Sequence, residues 1–247
     1  MNILYVLLTV VHGAVFYLQP PEVSVTLRSD NSVILRGEVN KETATRFMSD
    51  LQDTQSNPVY VFLDTPGGSV TYGSKIVTEI MSRNVTCIAE RAYSMGFVIF
   101  QACTKRYMMK HGSVMQHQIS YSIGGEQYKI DSYAEYVRQI EAEMVELQAQ
   151  RIGISTDVFR KKTMNEWWLY GRNAIMERCA DHIVNLKCNR VLRTTNFTVT
   201  EGSYKLVYSR CPLVPGELSK ERDKSKKEQI TIFPFYTEEY MQPDLIL

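Results

Sequence analysis

The chain is predicted to be an α/β protein, a parallel sheet made of repeated strand–turn–helix units with one long helix projecting from it. The first observation is Val59-Tyr60-Val61-Phe62-Leu63, a short apolar run. It enters the turn Asp64-Thr65-Pro66-Gly67-Gly68-Ser69-Val70 and then a stretch reaching about Met81, with Ile76, Val77, Ile80 and Met81 on one helical side. The second is the recurrence of that order at 85–102. There Val85-Thr86-Cys87-Ile88-Ala89-Glu90 reads as a strand, Ala92-Tyr93-Ser94-Met95-Gly96 as a tight turn, and the apolar run through Phe97 and Phe100 to Ala102 as a buried helix. Strand, turn and helix in direct succession need crossover connections, so the strands run parallel. The third is the stretch 131–151, where Tyr133, Val137, Ile140, Met144 and Leu147 form an apolar stripe at heptad spacing. Such a stripe requires cover, either from the chain's own domain or from a second subunit.

The other elements follow in order. Residues 23–37 read as paired short strands, with Val23, Val25 and Leu27 alternating and Val33-Ile34-Leu35 after a turn. A helix over 41–51 places Ala44, Phe47, Met48 and Leu51 on one face. Residues 105–109 and 113–116 read as two further strands, His117 closing the second, and 121–128, with Gly124 and Gly125, as a loop. A short helix starts at Ser155 or Thr156, and 171–181 is helical in pattern. Residues 196–208 suggest a hairpin turning at Glu201-Gly202-Ser203. The charged run 217–229 reads as solvated linker or exposed helix, and 230–247 is apolar enough to dock. The organisation expected is an N-terminal segment (1–22), a catalytic-type domain (23–190) and a C-terminal extension (191–247).

Composition narrows the function. A formal net charge of +1 argues against a nucleic-acid partner. The histidines are His12, His111, His117 and His182, and neither a Cys-x-x-Cys pair nor a His-Glu-x-x-His motif occurs, so no metal site and no bound cofactor is expected. Cys87 and Cys103 fall in buried elements, where a free cysteine acts as a small hydrophobe. Cys188 and Cys211 flank the hairpin and can pair in an oxidising compartment, and an odd total leaves one of the five cysteines unpaired. Residues 3–18 are almost entirely apolar, with no charged residue before Glu22. The run is short for a membrane span. It fits the apolar region of a signal peptide without its basic start, or a segment that packs on the fold or on a partner. Localisation stays open between secretory or membrane-associated on one side and cytoplasm or organelle matrix on the other.

The chemistry centres on Ser94. A serine at the start of a helix is a preferred cap. It is also where a nucleophile belongs if a base lies beside it. His117 follows 23 residues later at a strand end, and carboxyl ends of parallel strands converge on one rim. There His117 Nε2 would take the Ser94 hydroxyl proton during attack on a carbonyl and return it to the leaving group. Backbone N–H groups of Gly68 and Met95 are the candidate oxyanion donors.

Pro66-Gly67-Gly68-Ser69-Val70, Tyr93-Ser94-Met95-Gly96, Lys105-Arg106-Tyr107-Met108, Val114-Met115-Gln116-His117-Gln118, Gly124-Gly125, the long helix and Ala180-Asp181-His182-Ile183-Val184 occur in that order. In these the chain resembles the proteolytic subunit of Clp protease, the ClpP-like serine peptidases, over about residues 23–190. Crotonases and signal-peptide peptidase A share the strand–glycine–helix units, but not this serine-to-histidine order followed by a long helix. The resemblance implies a ClpP/crotonase-like fold of repeated β-β-α units with a protruding handle helix. It implies Ser94 as nucleophile, His117 as general base, and Gly68 and Met95 as the oxyanion hole. The family acid is an aspartate before an aromatic-leucine pair. Here the segment is Asn165-Glu166-Trp167-Trp168-Leu169, so Glu166 takes that position, with Asn165 and the more remote Asp157 as substitutes. His117-Gln118-Ile119 lacks the proline of the family pattern.

The resemblance further implies a serine endopeptidase in stacked rings, homo- or hetero-oligomeric. Polypeptide substrates would be fed by a separate AAA+ ATPase, which alone would use ATP. The handle helix would lie between rings. The longer terminal segments would cover or replace the usual partner surface. Two alternatives stand beside it: an inactive structural subunit on the same scaffold, suggested by Glu166, and a membrane-associated signal-peptide peptidase, suggested by residues 3–18 but needing a lysine base.

Overall fold

The computed structural model describes residues 9–11, 14–16, 22–201 and 203–222. The expectations for 230–247, and most of those for 3–18, lie outside these residues. In chain order, β1 (Thr9–Val11) pairs antiparallel with β2 (Ala14–Phe16). Then come β3 (Val23–Leu27), β4 (Ser32–Arg36), α1 (Lys41–Asp53), β5 (Val59–Thr65), α2 (Val70–Met81), β6 (Val85–Tyr93), α3 (Met95–Ala102) and β7 (Lys105–Gln116). They are followed by α4 (Gln127–Ile152), α5 (Thr156–Thr163), β8 (Trp167–Tyr170), α6 (Arg172–Met176), β9 (His182–Cys188) and α7 (Arg190–Thr194). The last three are β10 (Asn196–Glu201), β11 (Tyr204–Ser209) and β12 (Ser219–Arg222).

The main sheet has the order β3-β9-β7-β6-β5-β4 and is parallel throughout that path, while β8 adds antiparallel to β7. The α/β class with a mostly parallel sheet is therefore as read from the strand–turn–helix repeats. The pairing of β3 with β4 is not. They stand at opposite ends of the strand order, β3 on β9 and β4 on β5. Alternation reports which side chains are buried and is silent about the neighbour. Only residues 28–31 join these two strands. The sheet must therefore curl until its edges approach, and Asn31 ties them: its side-chain amide donates to the Thr26 carbonyl of β3 at 3.3 Å and its main-chain carbonyl accepts from Tyr60 N–H of β5 at 2.8 Å.

Curling gives the sheet two cores. The larger lies under α1 to α5. It includes Phe47 and Leu51 of α1, Ile76 and Ile80 of α2, and the whole of Phe97-Val98-Ile99-Phe100 in α3. A helix apolar on every side has to be buried on every side. Each of these side chains contributes about 1.5–3 kcal/mol of burial. The second core joins Val25, Leu27, Phe62, Ile88 and Val184 beneath residues of the C-terminal extension, Leu192 and Cys211 among them. The predicted hairpin is β10–β11 with its turn at 201–204. The charged run after it enters a third strand, β12, over Ser219–Arg222, whose side chains are all exposed, as suits a charged edge. Cys188 and Cys211 pair, as do Cys87 and Cys103, which the sequence reading had left as free hydrophobes. Their Cα atoms lie 5.8 Å apart because α3 folds back along β6. Cys179 remains free and buried, and burial pushes its thiol up to about 12.

Two other readings change. Residues 105–116 form one strand rather than two. Its register against β6 shifts at Ala89/Arg91, so the polar Lys110-His111 is accommodated without ending the strand. At that shift Gly112 lies so near β6 that a Cβ would stand 2.6 Å from the Ala89 carbonyl. Residues 171–181 hold only the five-residue α6, because Arg178 turns to φ 59° and the Cys179 and Ala180 N–H groups both close on the Ala174 carbonyl. Among the described residues no helix is long and apolar enough to cross a membrane.

The elements that carry the site are locked together by a buried cation. Arg106 of β7 donates to Asp181 at 2.6 Å and to Gln101 of α3 at 2.5 Å. Arg151 of α4 reaches the same aspartate at 3.5 Å and donates to the Thr104 carbonyl. Burial pushes Asp181 up, but its hydrogen bonds and the charge of Arg106 outweigh that and hold it below the ordinary 3.8. Its contribution to stability is thus complete above that value and is lost as pH falls from there through the lower folded value. Asp181→Ala, which strands the Arg106 charge, is expected to cost about 3 kcal/mol in urea unfolding at neutral pH. A loss indistinguishable from zero would contradict this account.

Candidate functional site

The site forms where β6 and β7 end and β8 begins. Parallel pairing sets Tyr93 of β6 opposite Met115 of β7. The next residue of β6 is Ser94, and the strand beside it continues through Gln116 to His117. Antiparallel pairing sets Gln116 opposite Trp167 of β8. The residue after Gln116 is His117 and the residue before Trp167 is Glu166, so the same two ladders bring serine, histidine and glutamate to one rim.

Ser94 occupies the cap position of α3 and does not cap it. Its φ is 57° and ψ −121°, a conformation that costs a residue with a Cβ about 1–3 kcal/mol. The turn is bolted in place: Ser94 N–H donates to the Met115 carbonyl at 2.8 Å, and the Ser94 carbonyl accepts from Phe97 N–H at 2.9 Å. The hydroxyl instead meets His117, Oγ to Nε2, at 2.7 Å. The Ser94 side chain therefore makes no capping bond to α3.

Around the pair, the Pro66-Gly67-Gly68 turn presses on the Ser94 turn. Gly67 and Gly68 have φ of +93° and +140°. A Cβ on Gly67 would stand 2.7 Å from Ser94 Cβ and 2.8 Å from Met95 N, so only glycine allows the approach. Thr65 Oγ1 accepts from Gly67 N–H, and Val39 accepts from Ser69 N–H through its carbonyl. The N–H groups of Gly68 and Met95 have no acceptor among the described residues. Met95 is itself fully buried, its side chain lodged against Gly73 of α2.

His117 is half-buried. Burial pushes its pKa below the ordinary 6.5, and the charge of Glu166 pulls the other way. Glu166 sits at φ 66° and its carboxylate accepts from the Trp168 indole N–H at 2.9 Å. No hydrogen bond joins it to His117 among the described residues, so its influence is through charge. Asn165 precedes it in the same turn. Asp157 lies in the first turn of α5, whose cap is Ser155: the Ser155 Oγ accepts from Val158 N–H at 3.3 Å.

A cavity of about 230 Å³ opens beside His117 between α4 and α5, walled by Ile119, Met144, Val145, Phe159 and Met164. The rest of its wall is polar, Glu141 and Arg160 included. Sequence reading missed two polar residues in its wall, Gln116 and Gln148. Both are 1% exposed and bonded to each other. Among the described residues no cluster of side chains suits a metal ion.

Comparison with known proteins identifies the family. The family model described as Clp protease matches residues 21–187. The ATP-dependent Clp protease proteolytic subunit 2 of Corynebacterium efficiens is 27% identical over 170 residues, covering 65% of this chain and 85% of that protein. The subunit of the same name from Cutibacterium acnes is 26% identical, over 64% of this chain and 79% of its own. Proteolytic subunit 1 of Corynebacterium jeikeium is 27% identical, over 64% and 89%. With the matched segment spanning the glycine turn, Ser94, His117, the long helix and β9, the chain belongs to the Clp protease family and has a ClpP-like peptidase fold.

Proposed function

We propose that the chain is a serine endopeptidase in which Ser94, His117 and Glu166 act together and Gly68 and Met95 hold the oxyanion. The observation that carries this is the 2.7 Å contact of Ser94 Oγ with His117 Nε2, made by a serine held in a strained turn. Ser94 Oγ attacks the peptide carbonyl carbon while its proton passes to Nε2. The carbonyl oxygen becomes an oxyanion facing the unpaired N–H groups of Gly68 and Met95. Nε2 then gives the proton to the leaving amine nitrogen, and an ester on Ser94 remains. Water, deprotonated by His117, hydrolyses that ester and regenerates the hydroxyl.

Burial supports this role for His117, because a base must be neutral when it acts. Glu166 stabilises the imidazolium as it forms, through charge rather than a shared proton. The relatives are named as proteolytic subunits of an ATP-dependent protease, which supports an oligomeric chamber fed by a separate ATPase. Exposed Tyr128 and Tyr136 on the first half of α4 support its use as a contact between subunits. A catalytically weak scaffold subunit is the second reading, favoured by the engagement of the Glu166 carboxylate with Trp168.

Ser94→Ala is expected to lower peptide hydrolysis at least about 1000-fold with the assembly unchanged in size-exclusion chromatography. Wild-type hydrolysis no faster than that variant would establish the scaffold reading. Because glycine accepts the Ser94 dihedral angles, Ser94→Gly should be more stable than Ser94→Ala by about 1 kcal/mol in thermal unfolding, and equal stability would remove the claim of strain. The acidic limb of kcat/KM should fall below pH 6.5, since burial favours the neutral imidazole. Glu166→Gln removes the charge that raises the His117 pKa, so the limb should move to still lower pH while the rate drops. A limb moving upward would contradict the electrostatic role.

A further inference from the structure

Behind His117 runs a line of buried amides. The Gln116 side-chain carbonyl accepts from the His117 backbone N–H at 3.0 Å. The Gln116 amide nitrogen donates to the Gln148 side-chain carbonyl. The Gln148 amide nitrogen donates to the Met144 backbone carbonyl at 2.7 Å. The direction of the line is set by its ends. A backbone N–H can only donate and a backbone carbonyl can only accept, so neither carboxamide can be reversed without opposing like groups. Aligned amides of this kind polarise one another and strengthen the line. Both glutamines are 1% exposed and reach the cavity beside His117 only at its wall.

The placement is what gives the line a consequence. Strand pairing of β7 ends at Gln116, and an irregular segment follows until α4 begins at Gln127. His117 is therefore the first residue beyond the ladder. Its main chain is held by the Gln116 carbonyl, and through Gln116 and Gln148 by α4. An apolar side chain at either position would fill the same space and give no such hold.

We propose that Gln116 and Gln148 are positioning residues for the reaction, fixing the His117 main chain to α4 so that Nε2 stays on Ser94 Oγ. The proposal rests on the catalytic reading of Ser94 and His117. It adds that the long helix bears directly on the base, so that a shift of α4 at Gln148 is felt at the Ser94–His117 contact.

The test separates positioning from packing. In Gln148→Met the Gln116 amide is left buried and unpaired, which lowers both stability and turnover. In the double variant Gln116→Met with Gln148→Met no buried carboxamide is left unpaired; only the half-buried His117 N–H loses its side-chain acceptor, so much of the lost stability returns. Peptide hydrolysis and thermal unfolding are measured on wild type and both variants. The expected result is that the double variant unfolds at a higher temperature than the single one, yet its kcat stays below wild type by about 10- to 100-fold with KM unchanged. Recovery of wild-type kcat in the double variant, or an undiminished kcat in the single one, would overturn the proposal and leave the catalytic reading standing. A wild-type protein without hydrolysis would instead remove the catalytic reading, and this proposal with it.

Discussion

Strand β7 is paired along both edges, parallel to β6 and antiparallel to β8, and the candidate site depends on that double pairing. Ser94 and Glu166 are 72 positions apart in sequence. They approach His117 because the registers Tyr93↔Met115 and Gln116↔Trp167 bring the ends of β6 and β7 and the start of β8 to the same rim. A slip of one residue in either ladder would turn every side chain of that strand to the other face. The register is defended by burial. Val114 is fully buried in β7 and Leu169 is buried in β8, while Arg106 is anchored by Asp181 and Gln101. The charge network far from the rim thus bears on the chemistry at it.

Within that frame the nucleophile turn is held against its own preference. The positive φ of Ser94 persists because hydrogen bonds from both of its backbone groups, the wholly buried α3 behind it and the glycine turn before it leave no other course for the chain. The same arrangement that strains Ser94 leaves the N–H groups of Gly68 and Met95 without acceptors among the described residues. Strain and unpaired donors at one point are what a site for a developing oxyanion requires.

Much of this was legible in the sequence because it is written in local patterns. The strand–turn–helix repeats, the glycine turn, the helix with its stripe and the Ser94 to His117 order all show within short windows, and the structure carries them. What was missed depends on contacts across the chain. No window signals that β3 and β4 take different partners, or that Cys87 and Cys103 meet when α3 folds back on β6. Gln116 and Gln148 are 32 residues apart, and no short window joins them. Glu166 was legible by position, but the indole that takes up its carboxylate lies across a turn whose left-handed conformation no pattern announces.

The central claim is that Ser94 is an activated nucleophile because His117 holds its hydroxyl. Fluorophosphonate treatment of the assembled full-length protein, followed by intact mass and peptide mapping, tests it directly. The account predicts one adduct per active subunit, on Ser94, with a labelling rate that falls as pH drops through the His117 pKa and that is lost in His117→Ala. Absence of an adduct on the assembled wild-type protein, or an adduct on another serine at equal rate, would contradict it.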